Sequence, residues 1–214
     1  MSNIILNDDH QIFDYLSSQP NPFVKGWVKV FLDNKKIHEG HNLVVGRGRE
    51  FTAQRLFNVR LTDGGTNRTD WRSWTITSFG VGSGGATITG GSPVIADTTL
   101  NDSKLFNAIS LNSSYATESG SGTTGVVKPI GTGGSVVLMD GGYTPGSHFS
   151  KVKCTCEVNS GEPTSLAPGA SIQISEAALY ATSGSSNVIF SHICFAPKWK
   201  ESESIFTIEW YIIC

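Results

Sequence analysis

The sequence predicts a mainly β protein: an antiparallel β-sandwich of jelly-roll type with one or two short helices and an N-terminal arm. Composition is the first observation behind this, because the chain has 24 glycines in 214 residues and only 16% charged residues, against about 25% in an average domain. The second is that apolar residues occur in short, often alternating runs separated by glycine, serine and proline, as strands and turns require. Strand and helix patterns do not alternate along the chain, which disfavours a parallel α/β fold.

The chain divides into an arm and a domain. We expect residues 1–22 to form the arm and residues 23–214 to form a single sandwich domain. Ile12, Phe13 and Leu16 share one face of a short helix predicted in the arm, and the prolines that follow end this helix. The apolar face can pack on its own domain or dock on a neighbouring subunit, and the sequence leaves both open. These three residues are therefore candidate interface residues.

Strands dominate the predicted domain, with one helix between them. The helix is predicted over residues 49–58, with Ala53, Leu56 and Phe57 on one face. Residues 82–93 are rich in glycine, serine and threonine and are predicted to be a loop. The predicted strands cover residues 24–32, 37–39, 71–81, 152–158, 171–180, 187–195 and 204–214.

Charge and hydropathy argue against two classes of partner. The formal net charge is −2, and the lysines and arginines form no basic run of the kind that nucleic-acid binding requires. The apolar stretches fall far short of the roughly 20 residues of a membrane span. The N-terminal residues also lack the basic and continuous apolar regions of a signal peptide. We therefore expect no nucleic acid and no membrane as partners, and folding in a cytosol.

A glycine motif at residues 80–85 (GVGSGG) matches the dinucleotide-binding pattern G-x-G-x-x-G and follows a predicted strand. A nucleotide site also needs a helix that begins at the last glycine, so that its N-terminus can hold the pyrophosphate. Residues 86–91 (ATITGG) are a poor helix sequence. The motif therefore predicts a bend where two backbones approach closely, and no cofactor is expected.

Four side chains form the one metal-ligand pattern that the sequence offers. Cys154 and Cys156 would share one face of a strand, and His192 and Cys194 one face of another. If those strands were neighbours, the set would have the composition of a Cys₃His zinc site. However, C-x-C is not the usual zinc spacing, and cysteine is common in cores. We expect reduced cysteines and no metal.

Two further residues are interface candidates, and no residue is a catalytic candidate. Glu176 lies inside an apolar run, so its carboxylate needs a partner: a nearby arginine, backbone donors, or an intersubunit salt bridge. Cys214 is the last residue, and its thiol could form an intersubunit disulfide. The chain contains no G-x-S-x-G nucleophile motif, and none of the five histidines lies in a setting that recommends it as a base. We therefore expect no enzymatic activity.

Four segments, taken together and in order, resemble a group of tailed-bacteriophage virion proteins of the head-decoration, tail-fibre and baseplate types. The resemblance covers about residues 40–214. The segments are NLVV at 42–45 with AQRL at 53–56, SFGVGSG at 78–84 with DTTL at 97–100, SEAALY at 175–180, and FTIEWYII at 206–213.

The resemblance implies a non-enzymatic structural component of the virion, assembled in the host cytoplasm. The favoured role is a capsid decoration or cement protein, a homo-oligomer that binds the major capsid protein and stabilises neighbouring subunits. A tail, collar or baseplate fibre component that binds tail proteins is the close alternative. A carbohydrate-binding module for host attachment is another, and it would use Trp71 and Trp74 as exposed aromatic platforms.

Overall fold

The main elements of the described part of the chain are one helix and thirteen strands, and residues 11–12 are also helical. The computed structural model describes residues 11–12, 25–58, 62–63, 66–67, 69–132, 134–138 and 151–213. The helix α1 spans Gly46–Phe57. The strands are β1 Lys25–Leu32, β2 Lys35–Val44, β3 Thr62–Asp63, β4 Thr66–Asn67, β5 Thr75–Gly82, β6 Ala86–Thr89, β7 Ser92–Ile95, β8 Lys128–Pro129, β9 Ser135–Leu138, β10 Lys151–Val158, β11 Ser171–Ser183, β12 Ser186–Glu201 and β13 Phe206–Ile213.

Nine of the strands form one curled antiparallel sheet in the order β8-β5-β11-β12-β2-β1-β13-β10-β9. Most neighbours pair along their length, as β1 and β13 do from Lys25 to Leu32. The β12–β2 junction has only two paired positions, at Ser191 and His192 of β12. The sheet therefore divides into two halves that are joined at this short seam, and the core lies between them. The prediction of a mainly β, sandwich-like fold is confirmed.

The core is built from the alternating inward residues of both halves. Strands β1, β10 and β13 present one set of apolar side chains, and β5, β11 and β12 present the other. Full burial of each large apolar side chain contributes about 1.5–3 kcal/mol. The fully buried members include Val28, Val30, Phe79, Val81, Cys156, Ala177, Leu179, Phe195, Phe206, Ile208 and Trp210.

The opposite face of β11 and β12 is also buried, because residues of the long segment between β5 and β8 pack on it. A second apolar cluster there contains Val45, Leu105, Ala178, Tyr180 and Ile189. Strand β11 is therefore buried on both faces, and any charged residue within it must find its partners inside the protein.

The structure corrects the predicted helix. The helix α1 begins at Gly46, earlier than predicted, and its described buried contacts come from Phe51 and Gln54. The Phe51 ring meets Phe190 edge-on at 5.7 Å between centroids. The Gln54 amide is fully buried, donating to the Thr69 carbonyl and accepting from the Trp71 backbone. Phe51 therefore belongs to the packing face, which the sequence pattern did not include.

The structure also differs from the prediction at one loop and at the start of one strand. The segment predicted as a loop at 82–93 contains β6 and the start of β7, which form a hairpin, and its Gly90 and Gly91 have φ values of 59° and 82°, as a tight hairpin turn requires. The strand predicted from residue 71 begins only at Thr75, because Trp71 and Trp74 form a turn closed by a backbone hydrogen bond.

Candidate functional site

A buried carboxylate lies at the centre of the most elaborate polar site among the described residues. Glu176 follows an irregularity in the register of β11 and pairs with Gly82 on β5 and Cys194 on β12. Its side chain is 0% exposed. An ionised carboxylate in such a place is unfavourable unless its oxygens accept hydrogen bonds.

Four donors satisfy the Glu176 carboxylate. Its Oε1 accepts the backbone N–H of Gly84 at 3.0 Å and that of Asn107 at 2.9 Å. Its Oε2 accepts the backbone N–H of Phe106 at 2.9 Å and lies 3.0 Å from Nε2 of His192. A carboxylate offers about four lone-pair sites, so this one is fully coordinated by donors.

His192 joins this carboxylate to a second one. The ring is fully buried on β12, and its Nδ1 lies 2.7 Å from Oδ2 of Asp102. Asp102 in turn accepts the backbone N–H of Thr99 at 3.0 Å and its hydroxyl at 2.7 Å. An imidazole between two carboxylates donates from both nitrogens only when it is protonated. We name Glu176, His192 and Asp102 the acid–imidazole cluster.

The electrostatics of the cluster agree with this protonation. Burial alone lowers the pKa of His192, but its contacts with Cys194, Glu176 and Asp102 outweigh burial and raise the pKa to about 10. Burial raises the pKa of Glu176, but hydrogen bonds from His192, Asn107 and Phe106 outweigh it and leave this pKa below the ordinary value. At neutral pH the cluster therefore holds an imidazolium against ionised Glu176.

The glycine motif allows the backbone to approach Glu176. A Cβ added to Gly82 would lie 2.4 Å from Oε1 of Glu176, and one added to Gly85 would lie 2.1 Å from the carbonyl oxygen of Ser175. One added to Gly84 would lie 2.6 Å from the Asn107 nitrogen. No side chain fits at these distances, so the prediction of a close backbone approach is confirmed.

The same carboxylate holds both ends of a long segment. Gly84 and Asn107, which both donate to Glu176, bound residues 84–107, and we name this stretch the clamped segment. Next to the clamp, Ser83 donates its backbone N–H to the Asn107 carbonyl at 2.9 Å. Asp102 of the cluster lies within the segment, and the Leu100 carbonyl accepts the N–H of Gly46 at the start of α1. The cluster and the helix thus fix the base of the segment on the sheet.

The clamped segment exposes apolar side chains to solvent. Ile88 pairs with Pro93 and Val94 pairs with Thr87, so Ile88 and Val94 point to opposite faces of the hairpin. The exposed large apolar side chains of the segment are Ile88 (58%), Val94 (55%), Ile95 (45%), Leu100 (45%) and Phe106 (46%). Elsewhere in the described chain only Val136, Trp199 and Ile205 are comparably exposed.

The Cys₃His set of the sequence is not assembled. Cys154 and Cys156 lie in the core, with 3.6 Å between their sulfurs, on β10, which is not a neighbour of β12. His192 and Cys194 alternate along β12 with the core residue Ile193, so they point away from that core. Each predicted pair does share one face of its strand. However, the cysteine pair on β10 faces the core, whereas the pair on β12 faces away from it.

The interface candidates of the sequence have different outcomes. Ile12 is fully buried within the single chain, which agrees with packing on its own domain. Glu176 is fully buried, and its partners are backbone N–H groups and His192 of the same chain, which agrees with the backbone-donor alternative. Phe13, Leu16 and Cys214 lie outside the described residues.

The predicted aromatic platform is also wrong for one of its two residues. Trp71 is 4% exposed, meets Trp74 edge-on at 4.9 Å between centroids, and donates its indole N–H to Glu50 at 3.3 Å. Its ring therefore belongs to the packing beside α1 and is closed to a sugar.

A second buried ion pair lies at the edge strand β8. Lys128 is fully buried, and its ammonium lies 2.7 Å from Glu162, which also accepts the Tyr115 hydroxyl at 2.6 Å. Burial, and then the bond to Glu162, raise the pKa of Tyr115 to about 12. This pair ties the loop after β10 to the other half of the sandwich, a structural role.

A cavity of about 300 Å³ opens beside Tyr115. Its walls are mainly hydroxyl and small side chains, among them Ser78, Thr182 and Asn187, and they bring together no base and nucleophile.

No helix among the described residues has the length and hydropathy to cross a membrane.

No protein-family model, curated protein or solved structure matches this chain. The function is therefore argued from the residues and from the resemblance of the sequence segments.

Proposed function

We propose that this chain is a non-enzymatic structural component of a tailed-phage virion, and that it binds neighbouring subunits through the clamped segment. The observation that carries the proposal is the pairing of a rigid base with an apolar surface. One buried carboxylate fixes both ends of residues 84–107, and five large apolar side chains of that segment face solvent.

The energetics of the hairpin support a partner on this surface. Strands β6 and β7 both contact β12, yet Ile88 and Val94 stay more than half exposed, and exposed apolar patches mark interaction sites. Ile88 and Val94 on opposite faces of the hairpin give a partner apolar surface on both sides. Burial of each such side chain contributes about 1 kcal/mol or more, and symmetric repetition multiplies many modest contacts into high avidity.

The state of the ionisable groups supports a structural role over an enzymatic one. A general acid or base must reach its substrate within hydrogen-bond distance. Glu176, His192 and Lys128 are fully buried, with their hydrogen bonds satisfied inside the protein. These groups stabilise the fold, and among the described residues they offer no proton to a bound substrate.

Within the virion we favour the head, as a decoration or cement protein that binds the major capsid protein. A tail, collar or baseplate component uses the same kind of surface and is the alternative. The carbohydrate-binding alternative loses support, because Trp71 is closed to solvent.

Quantitative mass spectrometry of purified particles tests the proposal. We expect roughly hundreds of copies per particle for a head protein, whereas roughly six or twelve would indicate the tail, from the symmetries of the two assemblies. Particles that lack the chain altogether would contradict the proposal.

A further inference from the structure

We propose that Glu176, His192 and Cys194 form a zinc site at the base of the clamped segment. One carboxylate oxygen of Glu176, one ring nitrogen of His192 and Sγ of Cys194 all lie within 4.8 Å of one another. Nε2 of His192 lies 3.0 Å from Oε2 of Glu176 and 3.9 Å from Sγ of Cys194. This site goes beyond the proposed function and does not depend on it.

The separations fit a tetrahedral ion after the Cys194 side chain moves inward. Zinc binds nitrogen and oxygen at about 2.0–2.1 Å and sulfur at about 2.3 Å, so its ligand atoms stand about 3.3–3.7 Å apart. The nitrogen–oxygen pair must open and the nitrogen–sulfur pair must close by a few tenths of an ångström, and the oxygen–sulfur pair, which lies within 4.8 Å, must close by up to about 1.2 Å. Cys194 is partly exposed, so its side chain has room to make this movement.

The surroundings already hold the ligands as metal sites require. A metal-binding histidine usually donates its other N–H to a carboxylate, which fixes the ring, and Asp102 accepts from Nδ1 of His192 at 2.7 Å. The backbone N–H groups of Gly84, Phe106 and Asn107 hold the Glu176 carboxylate. Two of the three ligands are therefore in place before the ion arrives.

Bound zinc would lie between Nε2 of His192 and Oε2 of Glu176, where these two atoms now share a hydrogen bond. Cys194 would bind as a thiolate, and the protons displaced from the ligands would pass to the solvent. Phe106 continues to donate to Oε2, because that oxygen only exchanges one partner for another.

The ligand set selects the class of metal. Thiolate, imidazole and carboxylate together suit Zn²⁺ or Co²⁺, whereas Mg²⁺ and Ca²⁺ prefer oxygen ligands alone. The three protein ligands leave a fourth position for water. Bound zinc would link a side chain of β11 to two side chains of β12. It would also give the Glu176 carboxylate, which holds the clamped segment, one more bond.

Titration of the chelator-treated full chain with Co²⁺, then Zn²⁺, tests the site. We expect one Co²⁺ per chain with a thiolate-to-cobalt absorption band that Zn²⁺ abolishes. The substitution Cys194→Ser should remove the band, whereas the control Cys154→Ala, which removes a core thiol, should retain it. Asp102→Asn should weaken zinc binding about 10–100-fold, as loss of an outer carboxylate usually does.

Alkylation of the wild-type chain provides a test that needs no variant. Zinc should protect Cys194 from iodoacetamide, as read by peptide mass mapping, and a chelator should restore its reactivity. An absent cobalt band, a band that survives Cys194→Ser in folded protein, or equal alkylation of Cys194 with and without zinc would each overturn the proposal.

Discussion

The clamped segment has a base, where Glu176 holds its two ends, and a tip, the β6–β7 hairpin, and the two differ in polarity. At the base, Glu176, His192 and Asp102 are buried, and each accepts or donates to a defined partner. At the tip, Ile88 and Val94 face solvent on both sides of a two-stranded hairpin. At the clamped segment, charged side chains are therefore buried and large apolar side chains are exposed, the reverse of the order in the rest of the fold. We infer that the base provides stability and the tip provides binding.

Removal of the clamp should have the largest effect on stability. We expect Glu176→Ala to lower the free energy of unfolding by about 3–5 kcal/mol, because it leaves a buried imidazolium and three backbone donors without their partner. Denaturant unfolding of the full chain measures this. The control Glu201→Gln, at an exposed position, should change the value by less than about 0.5 kcal/mol. Equal effects of the two substitutions would show that the clamp adds no stability.

The pH dependence of stability should report the same cluster. The folded pKa of His192, about 10, lies above the ordinary histidine value of 6.5, so its contribution to stability is present below about pH 6.5 and is lost as pH rises towards 10. The pKa of Glu176 is lowered from 4.5, so its contribution is present above that pH and is lost as pH falls.

The cluster should therefore stabilise the fold most between about pH 4.5 and 6.5. With a chelator present, we expect a loss of about 3 kcal/mol in the free energy of unfolding from pH 6.5 to 9. Asp102→Asn should make this loss smaller, since it removes one of the charges that hold the proton on His192. A wild-type stability that rises over this range would contradict the protonation described for the cluster.

The sequence predicted the base of the segment in part. Glu176 stood out because a carboxylate within an apolar run must have partners, and the glycine motif correctly indicated a close backbone approach. Asp102 was missed, because its partner His192 lies far along the chain and no local pattern joins them. The β6–β7 hairpin was missed because glycine, serine and threonine dominate its sequence, although Gly90-Gly91 between short apolar runs is a hairpin signal.

The strands of the sandwich were predicted better than the site. Strand β1 and the last four strands alternate or run apolar over their whole length, and such local periodicity survives folding. The Cys₃His set failed because face and neighbour depend on the order of strands in the sheet, which spacing along one strand does not contain. The sequence thus showed two pairs of possible metal ligands, but it did not show whether the fold would bring the pairs together.

The glycines of the base should tolerate no side chain. We expect Gly85→Ala to destabilise the chain by about 1–3 kcal/mol, because the new Cβ would lie 2.1 Å from the Ser175 carbonyl oxygen. Gly131→Ala is the control, since a Cβ there meets nothing within 4 Å. Thermal unfolding of the two variants measures the difference, and a similar melting temperature for both would count against a tight approach at Gly85.

The tip should have the smallest effect on stability. Val94→Ser should change the free energy of unfolding by less than about 0.5 kcal/mol, because the side chain is already exposed in the single chain. Chemical unfolding checks this. A large loss would mean that Val94 supports the fold, and the division between base and tip would then fail.

The most direct test of the account compares two equally exposed valines for binding. Val94 on the clamped segment and Val136 on β9 are each 55% exposed. Each Val→Ser variant is supplied to particles that lack the wild-type chain, and the incorporated copies are counted by mass spectrometry. We expect Val94→Ser to reduce incorporation at least several-fold and Val136→Ser to incorporate as the wild type does. Equal incorporation of the two variants would contradict binding through the clamped segment.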